Sequence, residues 1–181
     1  MADQKLTALT ENTAPSTDDI IYMVDDPGGT PASRKVTIAN SIYKNPYCFR
    51  AYASGGTTLT DNAVVQISLA TEVYDYNGNF ATSAYTAPVG GVYHFDGNVA
   101  IAGAVTTPVD MIIFLYVDGA EHTRGSRVAV GSLMGLNISA DMLLTAGQVV
   151  TLRFYQQSAG DELSDTGSNL TWFSGHLVRM T

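Results

Sequence analysis

Within Tyr85-Thr86-Ala87-Pro88-Val89-Gly90-Gly91-Val92-Tyr93-His94-Phe95 the backbone has few options. Pro88 fixes its own φ and withholds an amide, and Gly90-Gly91 bend without steric cost, so the chain turns and then runs out extended. From there Tyr93, Phe95, Val99 and Ile101 share one parity, interrupted at Gly97, and His94 falls on the other. The same period of two runs through Phe49, Ala51 and Ala53, and through Val65, Ile67 and Leu69. It returns in Leu136, Ile138, Ala140, Met142 and Leu144, and in Val150, Leu152 and Phe154. Short alternating runs separated by Gly, Asp and Asn predict an antiparallel sandwich or barrel.

Met111-Ile112-Ile113-Phe114-Leu115-Tyr116-Val117 departs from that alternation. Met111, Ile113, Leu115 and Val117 lie on one face, Ile112, Phe114 and Tyr116 on the other, and both faces demand burial. In a sandwich one face supplies the core. A second copy of the chain is the simplest cover for the other; a loop or the N-terminal segment is the alternative. Asp118-Gly119 follows at once and reads as a two-residue hairpin turn.

The 181 residues carry a formal net charge of −8 and one cysteine. That length predicts about one domain with an appendage. Charged residues make up 14% of the chain, against roughly 25% in ordinary soluble domains. With 45% apolar residues, disorder is excluded, and part of the surface is expected to lie under a partner chain. Glu and Lys number four and three beside abundant Thr, Ala, Gly, Val and Ser, which favours strands over helices. No run approaches the roughly 18 apolar residues of a membrane helix. Met1 to Thr10 lacks a basic stretch followed by an apolar core, so neither secretion nor membrane insertion is expected. The acidic balance argues against nucleic acid as a partner. Cys48 cannot make an intrachain disulfide and reads as a buried strand thiol.

The texture changes near Lys44-Asn45-Pro46, which sets residues 1–46 apart from residues 47–181. The first part holds four of the six prolines. There Ile20-Ile21-Tyr22-Met23-Val24 and Arg34-Lys35-Val36-Thr37-Ile38 predict two strands around the turn cluster Asp25-Asp26-Pro27-Gly28-Gly29-Thr30-Pro31. Such a hairpin would set Asp25 and Asp26 near Arg34 and Lys35. A two-stranded hairpin is marginal alone, so this arm is expected to dock on its own domain, a sister chain or another protein.

Three motifs occur in order along the second part. Tyr74-Asp75-Tyr76-Asn77-Gly78-Asn79-Phe80 precedes the Tyr85 to Phe95 stretch; Leu143-Leu144-Thr145-Ala146-Gly147-Gln148-Val149-Val150-Thr151-Leu152 follows; Trp172-Phe173-Ser174-Gly175-His176-Leu177-Val178 closes the series. Over about residues 48–178 this resembles the globular heads of complement component 1q, a family related in fold to tumour necrosis factor. The resemblance implies an all-β jelly-roll sandwich of about ten antiparallel strands, assembled as a homotrimer. It supplies a sister chain to cover Ile112, Phe114 and Tyr116, with His94, Trp172 and His176 completing the trimer contact. Gly175 would let the closing strand pass close to a neighbouring ring or backbone. Gln148 stands where the family has Asp, His176 replaces an aromatic residue, and the collagen stalk is absent. Some members bind calcium near the trimer axis, but no Asp-x-Asp-x-Asp-Gly loop occurs here, so no metal is carried over.

The arm resembles leaders of tailed-bacteriophage virion proteins through Lys5-Leu6-Thr7-Ala8-Leu9, Asp18-Asp19, Val24 to Pro31, and Arg34-Lys35-Val36-Thr37. The resemblance implies that the arm joins the head to a capsid, portal-proximal or tail protein of the particle. Leu6, Leu9, Ile20, Tyr22, Val24, Val36 and Ile38 are the attachment residues it suggests.

No catalytic motif is present. His94, His122 and His176 are far apart, none within His-Glu-x-x-His, and there is no Gly-x-Ser-x-Gly elbow. Neither enzyme activity nor a cofactor is expected. His94 is either a hydrogen-bonded sheet residue or part of a three-fold channel where copies titrate together, and the same alternatives hold for His176. Binding is expected at loop tips. The candidates are residues 54–62, residues 117–127 with Glu121, His122 and Arg124, and the acidic segment 159–169 with Asp161, Glu162 and Asp165. That last segment reads as flexible, either simply solvated or in contact with calcium or a glycan. Two glycosylation sequons, at Asn137 and Asn169, read as chance. The expectation is a virion structural protein, a trimeric fibre- or spike-type head that adheres to a host surface glycan or protein or decorates the capsid. The alternative is a free soluble lectin-like recognition module.

Overall fold

The computed structural model describes residues 20–25, 32–37, 47–103, 110–129 and 135–181. The chain divides into two compact units, Met1–Lys44 and Asn45–Thr181. In the first, β1 (Ile20–Asp25) pairs antiparallel with β2 (Ala32–Thr37). Pairing runs on to Asp25 opposite Ala32, which draws Arg34 along to face Met23 and Lys35 to face Tyr22. Asp25 therefore lies two register positions from Arg34 and three from Lys35. Ile20, Tyr22 and Val24 lie on β1 and Val36 on β2. Leu6, Leu9, Asp26 and Ile38 lie outside the described residues.

The second unit begins with β3 (Cys48–Tyr52), β4 (Thr58–Leu59), β5 (Ala63–Gln66), β6 (Thr71–Asp75), β7 (Phe80–Ala81) and β8 (Ala84–Thr86). It continues with β9 (Gly91–Ala100), β10 (Asp110–Val117), β11 (Ala120–Ala129), β12 (Gly135–Leu144) and β13 (Val149–Gln157). β14 (Glu162–Leu163) and β15 (Trp172–Met180) complete it. Sheet I has the order β12-β9-β15-β3-β6 and sheet II the order β11-β10-β13-β8-β7, every neighbouring pair antiparallel. Two five-stranded antiparallel sheets closed on one core make an all-β jelly roll. β4 and β14 pair in a separate short ribbon.

The alternating residues make the core. Tyr93, Phe95 and Val99 of β9 are fully buried, as are Met111, Ile113 and Leu115 of β10 and Val150, Leu152 and Phe154 of β13. Each large apolar side chain withdrawn from water stabilises the fold by about 1.5–3 kcal/mol. At the centre Phe49 stacks on Phe80 and on Tyr85, each at 4.7 Å, and meets Phe173 edge-on at 5.0 Å. Gly97 does not interrupt the parity of β9. It points inward, and a Cβ there would come within 2.8 Å of Leu152 Cδ1, so the missing side chain is replaced by a leucine from the facing sheet. Gly175 plays the part its position suggested, since a Cβ would strike the Phe95 ring and lie 2.9 Å from Phe49 Cε1. Cys48 is only half-buried, because β3 turns Phe49 and Ala51 inward and sends Cys48 to the opposite face.

Candidate functional site on the two outward faces

The outward face of sheet I carries a histidine cluster. Pairing of β12, β9 and β15 lines up Asp141, His94 and His176 in one row. His94 Nδ1 lies 2.7 Å from Asp141 Oδ1, and Nε2 lies 3.0 Å from Asp96 Oδ2 and 3.3 Å from Ser139 Oγ. The His176 ring is 5.5 Å away. The hydrogen bond with Asp141 holds the His94 pKa above its ordinary value, against a smaller opposing effect of desolvation. Both ring nitrogens face carboxylates, so the imidazolium satisfies both at once. Trp172 sits further along β15 under the Arg50 guanidinium, 4.3 Å above the ring centre. At the other end Leu143 and Val178 are 68% and 57% exposed.

The outward face of sheet II is built on β10. Strand register puts Arg127 and Tyr155 on either side of Ile112, Arg124 and Arg153 on either side of Phe114, and Glu121 and Thr151 on either side of Tyr116. Residues directly opposite share a face, so an apolar column runs between flanking polar side chains. The Arg124 guanidinium lies 5.3 Å from the Phe114 ring centre and that of Arg153 lies 4.6 Å from Tyr116. Within this one chain Ile112 is 7% and Phe114 3% exposed. Their burial therefore requires no second copy; long arginine side chains cover them, charge outward.

The residues that the sequence assigns to a trimer contact occupy two faces of the sandwich. Ile112, Phe114 and Tyr116 lie on the outside of sheet II, and His94, Trp172 and His176 on the outside of sheet I.

Beside β10 lies a shallow cavity of about 320 Å³, floored by Ile112 and Phe114 with Val64 and Tyr155 at its side. Two ion pairs edge it. Arg127 donates to both carboxylate oxygens of Asp110 at 2.8 and 2.7 Å, and Arg124 to both of Glu121 at 3.1 Å each. The hydrogen bond from Arg127 holds the Asp110 carboxyl below the usual range, and the same bond raises the Arg127 pKa. Glu121, His122 and Arg124 are accordingly strand residues of β11. The loop expected there shrinks to the turn Asp118-Gly119, whose φ values of 51° and 81° are both positive, as a twisted two-residue hairpin requires. Gln148, the departure from the family pattern, donates to Asp118 Oδ2 and accepts from the Thr145 amide, tying two turns together.

The acidic segment is anchored by hydrogen bonds to distant parts of the chain. The Ser164 amide donates to the Thr57 carbonyl and the Asp165 amide to that of Ala100, and Glu162 pairs across β14 with Leu59. Asp161 accepts from the Asp61 amide, Glu162 from Ser158 Oγ, and Asp165 from the Thr166 amide. Buried Gln156 donates through Nε2 to the carbonyls of Leu59 and Gly160, 2.8 Å each. Among the described residues no group of three or more His, Cys, Asp or Glu side chains is placed to hold a metal ion. No described helix is long and apolar enough to cross a membrane. Asp110 and Tyr155 were not singled out from the sequence, and Arg127 only as the end of the stretch 117–127. Asp110 adjoins the apolar run and Tyr155 alternates with Phe154, but only strand pairing brings them together.

No known protein-family pattern matches the sequence, and no curated protein matches it. Solved structures do share its fold. The globular domain of zebrafish complement 1qA aligns with a TM-score of 0.54 over 75% of this chain and 99% of its own, at 14% identity. Murine APRIL aligns with a TM-score of 0.54 over 73% and 98%, at 11% identity. The Eiger TNF of S. frugiperda aligns with a TM-score of 0.53 over 75% and 92%, at 12% identity. At these identities the likeness is one of architecture, and the jelly roll of this chain is that of the complement 1q and tumour necrosis factor globular heads.

Proposed function

We propose that this chain is a structural protein of a bacteriophage particle, a head displayed as a homotrimer and attached through residues 1–46. Its mode of action is adhesion to a host surface or decoration of the capsid, without catalysis. The observation that carries the reading is the division at Lys44 of a two-stranded arm from a jelly roll that has a complete core of its own. A lone hairpin needs something to dock on, whereas the head does not. The leader-like sequence of the arm supports a particle as that partner. The complement-1q-like architecture supports trimeric assembly. The outward face of sheet I suits the trimer contact, with Leu143 and Val178 exposed beside the His94 cluster. Deleting residues 1–44 tests the reading. Loss of the head from purified particles supports it, and unchanged incorporation refutes the role of the arm. Light scattering on the full chain and on a chain beginning at Tyr47 tests the trimer. Three copies in both place the contact in the jelly roll, and monomers in both refute it.

A further inference from the structure

We propose that the cavity on the outward face of sheet II binds one pyranose ring of a surface saccharide. This rests on the recognition reading above and gives it a site. The lining selects the chemistry. Two carboxylates, Asp110 and Glu121, disfavour an anion there, and two guanidiniums, Arg124 and Arg127, disfavour a cation. What fits both signs at close quarters is a neutral group that donates and accepts, and a hydroxyl does both.

The ion pairs leave capacity for such a group. Each arginine spends Nε and Nη2 on its carboxylate, so Nη1 stays available to donate. Each carboxylate oxygen keeps a lone pair beyond the one its arginine occupies. The bidentate bonds also hold all four side chains in place before any ligand arrives, which lowers the ordering cost of binding. The apolar part matches the other aspect of a sugar ring. Val64, 38% exposed, and half-buried Tyr155 offer a non-polar flank for ring C–H groups, above a floor of Ile112 and Phe114. A volume of about 320 Å³ stands at the small end of ligand sites, enough for a ring and too little for a folded peptide segment.

The test uses the full chain and four probes, the methyl pyranosides of glucose, galactose, mannose and N-acetylglucosamine, in saturation-transfer NMR titrations. At least one is expected to bind. Tyr155→Ala and Arg127→Gln are expected to weaken it about tenfold or more, while Glu72→Gln, exposed on the edge strand β6 of the other sheet, leaves it unchanged. Matching melting temperatures of variants and parent show that the fold is intact. No transfer from any of the four glycosides overturns the proposal. So does binding that survives both Tyr155→Ala and Arg127→Gln. Incorporation into particles does not depend on Tyr155, so the site and the particle reading fail separately.

Discussion

Replacing Gly175 by alanine tests the packing of the core at its tightest point. The new methyl would press on the Phe95 ring and lie 2.9 Å from Phe49 Cε1. Neither ring can swing aside. Phe49 is held between Phe80 and Tyr85 at 4.7 Å each, and Phe95 stacks on Phe173 at 5.7 Å and on Tyr93 at 6.2 Å. Overpacking of this kind costs about 1–3 kcal/mol, and the crowding here belongs in the upper half of that range. Removing a glycine from a strand returns about 0.5–1 kcal/mol, so the expected net loss is about 1–2.5 kcal/mol. For a domain of this size that lowers the melting temperature by roughly 3–10 °C. Gly55→Ala is the control, since nothing lies within 4 Å of its added Cβ, and its effect should stay within about 0.5 kcal/mol. Thermal and urea melts of the two variants give the comparison. Adding Phe95→Leu to Gly175→Ala should cost less than the sum of the single changes by at least about 0.5 kcal/mol, because the smaller side chain yields the space. Equal stability of the Gly175 and Gly55 variants, or strict additivity in the double variant, would refute the reasoning.

Tyr85 buries its hydroxyl without a partner among the described residues. Tyr85→Phe should leave stability unchanged or raise it by about 1 kcal/mol, and a loss above 1 kcal/mol in a urea melt would show that the hydroxyl is bonded. Gln156→Glu aims a carboxylate at two carbonyl oxygens in a buried site and should cost about 3 kcal/mol or more; a variant as stable as the parent would mean that Nε2 does not hold that turn. The raised pKa of His94 makes its contribution fully present below the ordinary value of 6.5, and that contribution is lost as pH rises through the folded pKa. Asp141→Asn should therefore lower the melting temperature more at pH 5.5 than at pH 8.5, and an equal or reversed difference would exclude the Asp141 bond as the cause.

Much of the head was legible because its strands carry their burial in their parity. Leu136, Ile138, Met142 and Leu144 face inward as period two requires, and the turn at Asp118-Gly119 sits where the sequence puts it. What the sequence left hidden depends on register. Phe114 reads as an unpaired apolar residue until β11 and β13 bring Arg124 and Arg153 alongside it, and no local pattern announces those distances. Gly97 reads as a break until the facing sheet supplies Leu152. The acidic segment reads as solvated because its anchors, Thr57, Asp61 and Ala100, lie many residues upstream. In each case the missing information is which strand lies next to which, which local propensity does not encode.

The two outward faces differ in a way that bears on assembly. Sheet II covers its own apolar column with arginines, so withdrawing that face into a contact would bury two ion pairs and gain little apolar area. Sheet I leaves Leu143 and Val178 open beside a half-exposed histidine cluster, and a contact there gains apolar burial at once. The energetic difference favours sheet I as the contact face of the proposed trimer. In the proposed trimer sheet II then faces outward on all three copies. Three weak saccharide sites on one head, linked at fixed spacing, turn later binding events into intramolecular ones and raise avidity without any new contact. The proposed cavity therefore need not be tight in a single chain to serve adhesion, provided that binding of a monovalent glycoside is detectable at all.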